Sequence, residues 1–233
     1  MRWKRAACVA ALALMSVSLL GVSNAPTSPK EQVERMLSPV VRAPEVHARV
    51  VITRSDPFGG PGERSTGRIW FLPGRGLRFK SEERNGGEDI VLDREKGTFL
   101  VYRPSERVVY RADWDRAPAR MRQLIMEPGK ILDANFTAAP DQRRAGGALR
   151  RGFRIQRAAE NGDSLRNVTV WVAADPATGL PRWVSAGGEE DSVEVEFRTM
   201  TLLPKANPRD LAMTLPRNVR TEPLDPRDLL PGQ

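Results

Sequence analysis

Cysteine is almost missing from this chain. The single example, Cys8, falls in an apolar run at the N-terminus, so residues 26–233 hold no disulfide, thiol nucleophile or thiolate metal site. Histidine is as scarce: His47 is the one copy, which excludes the paired-histidine spacing of ordinary zinc and copper sites. A serine triad would have to use His47, and its neighbours place it on the exposed side of a strand. There is no Gly-x-Ser-x-Gly elbow. Gly59-Gly60-Pro61-Gly62 lacks the Gly-Lys-Ser/Thr that a phosphate loop requires. Glu189-Glu190-Asp191 lacks the alternate spacing of a calcium loop and reads as a solvated turn. The expectation is therefore a non-enzyme, with no catalytic residue, no metal ligand and no cofactor.

Charge excludes another class. The formal net charge is +8, but the arginines are scattered between acids and form no stripe. Nucleic acid is not an expected partner; weak attraction to an anionic membrane surface is.

What is present begins with an address. Arg2, Lys4 and Arg5 precede the uncharged run Ala6 to Val22, and Ser23-Asn24-Ala25 offers a cleavage site. This is the layout of a signal peptide over 1–25, followed by one exported domain over 26–233. Its removal would take three positive charges and leave +5.

Ser28-Pro29-Lys30-Glu31 has the form of a helix start, with Ser as cap, Pro at the first position and Glu three residues on. Val33, Met36, Leu37 and Val40 follow at helical spacing. From Glu45 the period becomes two, with Val46, Ala48, Val50 and Ile52 on one face and His47 and Arg49 opposite. Short strands with close turns follow: around Ile69 and Phe79, then Asp89–Leu92, Thr98–Tyr102 and Arg107–Arg111. Ala117, Met121, Leu124 and Ile125 suit a helix, with a second short helix or loop near Ile131-Leu132. Strand signals resume at Leu149–Arg157, Leu165–Ala174, Leu180–Ala186 and Ser192–Leu203, and residues 216–233 read as an irregular tail. The sum is a mainly β (α+β) fold, a curved antiparallel sheet of about ten strands with two or three short helices laid against it.

One stretch breaks the alternation. Ile69, Trp70, Phe71 and Leu72 are apolar in succession, so both faces of that strand are apolar before Pro73-Gly74 turns the chain.

The pattern as a whole resembles the LolA/LolB/RseB superfamily of bacterial envelope proteins. The resemblance is carried by the leader and short helix, by Gly67-Arg-Ile-Trp70 running into a Pro and then Arg78-Phe79, and by Tyr102-Arg-Pro104. Asp175 to Pro181, the Val-Glu-Val-Glu-Phe strand and Leu211-Ala-Met-Thr-Leu215-Pro216 complete it. It implies an unclosed β-barrel capped by helices, with an apolar cavity for acyl chains between sheet and helices. By strand alternation, Trp70, Leu72, Phe79, Leu100 and Phe153 are the expected lipid-binding lining. The implied protein is a monomeric periplasmic carrier or chaperone that moves lipoprotein acyl chains or phospholipid from the inner toward the outer membrane. It would have partner proteins in both membranes and transient membrane contact. A cavity and a fully filled core both remain open at this point. One departure stands out: LolA-type carriers commonly have an Arg before the Pro matching Pro73, where it helps hold the lid, and this chain has Leu72. The alternatives are an RseB-like envelope-stress sensor of lipidated proteins, and a non-catalytic envelope protein binding glycans through Trp114, Trp171 and Trp183.

Overall fold

The computed structural model describes residues 28–54, 63–83, 87–116, 122, 125, 126, 136–157, 169–187 and 192–224. The expected leader, the acidic run 189–191 and the segment around Ile131 lie outside them. Among the described residues no helix is long and apolar enough to cross a membrane.

Helix α1 spans Pro29–Arg42 and starts as its sequence dictates. The Ser28 hydroxyl accepts from the Glu31 amide, and the Glu31 carboxylate accepts from the Ser28 amide. Its apolar side, Val33, Met36, Leu37 and Val40, is buried. Pro39 lies inside the helix and removes one donor from its ladder.

Twelve strands form one sheet: β1 (Glu45–Arg54), β2 (Arg64–Leu72), β3 (Gly76–Ser81), β4 (Asp89–Asp93), β5 (Thr98–Arg103), β6 (Val108–Asp113), β7 (Phe136–Ala145), β8 (Ala148–Arg157), β9 (Thr169–Ala174), β10 (Pro181–Gly187), β11 (Ser192–Leu203) and β12 (Arg220–Pro223). Their spatial order is β12-β6-β5-β4-β3-β2-β1-β11-β10-β9-β8-β7. Two meanders therefore meet where β1 pairs antiparallel with β11, and β12 and β7 are left as free edges. The sheet is curved and does not close into a barrel. Among the described residues one α-helix and two 3-10 turns, Trp114–Arg116 and Pro208–Leu211, accompany it, and Arg122, Ile125 and Met126 are helical.

The expected ten strands become twelve because two edges escape periodicity. β7 carries Pro140, Arg143 and Arg144 and has no clean alternation; an edge strand tolerates proline, since one side of its ladder is unpaired. β12 lies in the expected irregular tail, and pairs parallel with β6.

The turn after β2 follows from Pro73-Gly74. The Arg75 amide donates to the Leu72 carbonyl, and Gly74 takes φ +76°, the type II turn that Pro then Gly favours. Two residues on, Gly76 has a different task. A Cβ there would collide with the Leu92 carbonyl oxygen across the ladder and come within 2.8 Å of Leu211 Cδ1. Gly76→Ala is therefore expected to lower stability by about 1–3 kcal/mol, read as a drop in the urea midpoint. An unchanged midpoint would mean that β3 and β4 separate more easily than their packing suggests.

Candidate functional site: the helix-covered face and its strapped reverse

The strand registers assign every apolar side chain to one of two faces. Val46 pairs with Phe71, Ala48 with Ile69, and Ile69 with Phe79, so these residues share the face on which α1 lies. On β11 a bulge opposite Arg49/Val50 shifts the parity. Val195 and Phe197 face inward before it, and Met200 and Leu202 after it. Gly67 leaves room on this face for the Phe79 ring.

This inner face is one continuous apolar cluster that runs from Val101 and Ala112 through Ile69 and Val50 to Ile155 and Phe136. A flat sheet of twelve strands would be about 50 Å wide, whereas α1 spans only about 21 Å. Curvature must bring the strands together, and a second cover is needed. Trp114 and Ile125, in the connection between β6 and β7, supply part of it, and the Ile125 carbonyl accepts from the Gly74 amide at 2.7 Å. α1 packs beside β7, where Lys30 Nζ sits 4.9 Å over the Phe136 ring. The short Ala43-Pro44 link ties its other end to β1.

The five expected lining residues do not share this surface. Phe79 is buried on the inner face, and Phe153 packs against the same cluster. Leu72 lies on the reverse face in a separate cluster with Val91 and Leu211, and Leu100 packs against it. Trp70 is on that reverse face as well, paired across the ladder with His47. The correction has a simple cause. Alternation fixes which residues of one strand share a side, but the relation between strands needs the register.

The reverse face explains the doubly apolar strand. Ile69 and Phe71 point toward α1, while Leu72 is covered by the 3-10 turn Pro208–Leu211, which lies as a strap across β2, β3 and β4. Polar groups fix the strap. Arg78 forms a two-pronged ion pair with Asp89 at 2.9 and 2.6 Å, stacks 5.2 Å over Trp70, and donates to the Ala212 carbonyl at 2.5 Å. Glu45, fully buried, accepts from the Asn207 amide at 2.6 Å. Its other oxygen lies 2.6 Å from His47 Nε2, which is 3.4 Å from Asp210. His47 thus occupies the expected outward side of β1 but is half-covered by the strap.

Glu45, His47 and Asp210 bring three ligand-type atoms within 4.8 Å of one another, a grouping that sequence spacing hid because Asp210 arrives from the far end of the chain. The Nε2 neighbours of His47 here are carboxylates rather than a hydroxyl, so the trio ties the strap down and does not form a nucleophile-activating pair.

The arginines that follow Pro73 make other contacts: Arg75 pairs with Glu95 at 2.6 Å, and Arg78 holds the strap. Farther out, Glu82 bridges Arg68 and Arg49, and its hydrogen bond from Arg68 holds its carboxyl below the usual value. Burial pushes the Glu194 carboxyl up. Trp114, Trp171 and Trp183 are all buried as packing residues, which leaves the alternative of a glycan platform without a surface.

No protein-family model matches the chain, and no curated protein does. Solved structures similar to it include an uncharacterized conserved protein from Thermus thermophilus, at 10% identity and TM-score 0.49 over 84% of this chain and 98% of that one. A LolA superfamily protein from Nitrosomonas europaea is similar at 10% identity and TM-score 0.43, over 81% and 99%. LprF from Mycobacterium bovis is similar at 12% identity and TM-score 0.38, over 77% and 94%. At such identities and scores these likenesses carry no argument about function, which rests on this chain's own residues. The architecture matches what the sequence resemblance implied: a curved, unclosed antiparallel sheet with an amphipathic helix on one face.

Proposed function

We propose that this chain is an envelope carrier or chaperone for acyl chains, exported to the periplasm, that takes lipoprotein or phospholipid tails onto the inner face of its sheet. One observation carries the reading: a continuous apolar face gathered from both meanders is covered in part by α1, the helix at the start of the described chain. α1 is a separable cover. It joins the sheet through a two-residue link and carries Pro39, which costs it one hydrogen bond of its ladder. Burial of acyl chain returns about 0.8 kcal/mol per CH₂, enough for one long tail to compete with the modest apolar side of α1.

The test is native mass spectrometry of the chain from Pro26, expressed in a bacterial periplasm, with extraction and identification of any lipid. A phospholipid or acylated peptide bound in defined ratio is the expected result. An apo mass that stays unchanged after incubation with acyl ligands would refute the reading and make the inner face an ordinary core.

A further inference from the structure

The inner-face reading leaves one surface unused, the β7–β8 hairpin. Its tip is tight: Ala145 pairs with Ala148 across Gly146-Gly147, both at positive φ (+56° and +82°), as a two-residue type I′ turn demands. Arg143, Arg144, Arg150, Arg151 and Arg154 flank this tip. Register puts Arg143 directly opposite Arg150, a like-charge pairing that costs stability by itself. On the other side of the same hairpin Arg144 faces Leu149, with Arg151 two residues on. Leu149 is 65% exposed, the most exposed large apolar side chain among the described residues.

What sets the hairpin apart is the number of arginines gathered on it. Arg49, Arg68, Arg75, Arg78, Arg103 and Arg182 each lie within ion-pair distance of a carboxylate. On the hairpin, Arg143 reaches Asp141 at 3.4 Å and Arg150 stacks 4.4 Å over Trp183. Arg144, Arg151 and Arg154 are exposed and have no carboxylate partner among the described residues. Five arginines close together in sequence are thus gathered on one hairpin at an edge of the described sheet, with Asp141 and Glu194, which accepts from the Gly146 amide at 3.3 Å, as the carboxylates beside it.

We infer that this hairpin is a docking element for an anionic lipid bilayer. Phosphate headgroups would neutralise the unpaired guanidiniums, and Leu149 between them would enter the boundary with the acyl region. A soluble polyanion such as nucleic acid could satisfy the charges but would offer nothing to an exposed leucine on the hairpin. Docking needs no cargo, so it is separable from acyl carriage.

The experiment is vesicle flotation of the exported chain, with mixed phosphatidylglycerol–phosphatidylcholine vesicles against pure phosphatidylcholine. Binding is expected only to the mixed vesicles. Each surface arginine near an anionic membrane contributes about fivefold in affinity, so Arg144→Gln/Arg151→Gln should weaken binding roughly twenty-fivefold. Leu149→Gln should weaken it severalfold. All three side chains are exposed, so the thermal midpoint should hold, and the chain's acyl uptake should be unchanged. Equal binding to neutral vesicles, or a double variant that binds like the parent, would overturn the inference. So would tight binding to single-stranded DNA together with indifference to Leu149→Gln, which would mark a general polyanion surface.

Discussion

Replacing Arg78 by alanine is expected to destabilise the protein by about 3–5 kcal/mol, the range for removing one partner of a buried ion pair. The pair itself need not stabilise much, because both charges left water to form it. Their side chains are 12% and 8% exposed, and attraction between them largely offsets that desolvation. Removing Arg78 alone leaves the Asp89 carboxylate buried and without its guanidinium. It also removes the donor to the Ala212 carbonyl and the cation over Trp70. The loss should therefore appear twice: as a lower urea midpoint, and as proteolysis around 207–216 under conditions where the parent resists. Exchanging both partners, Arg78→Met with Asp89→Leu, should restore much of the midpoint while the strap stays looser. A single variant with an unchanged midpoint would show that Asp89 finds water or another cation.

Leu37→Ala should cost about 2–5 kcal/mol, since Leu37 is fully buried beneath α1 and a cavity would remain. Its functional sign is opposite. If α1 is the cover of the inner face, a weaker seat lowers the free energy needed to lift it, so exchange of a fluorescent fatty-acyl probe should quicken even as global stability falls. A probe that binds and leaves the variant at the parent rate, despite the lower midpoint, would make α1 a fixed wall.

Much of this was written locally. Ser28, Pro29 and Glu31 set the start of α1, and Val33, Met36, Leu37 and Val40 its buried side, because capping and helical period act within a few residues. Alternation in β1 and in Val193 to Phe197 correctly marked the inward residues, but the opposite side is not uniformly wet, since Glu45 and Glu196 are buried there. Pro73-Gly74 announced its own turn.

Tertiary structure decided what depends on which strands become neighbours. Trp70, Leu72 and Leu100 were separated from Phe79 and Phe153 by register, which alternation within one strand cannot supply. Asp210 met His47 and Glu45, and Arg78 met Ala212, across more than a hundred residues of chain. The edge strands β7 and β12 carry little apolar period because only one side of each is paired, and so they passed as loop and tail. The positive hairpin β7–β8 was partly legible, since Arg143, Arg144, Arg150, Arg151 and Arg154 fall close together in sequence. Register then set Arg143 opposite Arg150 and Arg144 opposite Leu149. Sequence by itself determined the elements and the side of each that is apolar, since those are set by neighbouring residues. The pairing of strands determined which apolar sides form one surface, which charges are matched, and which are left facing outward.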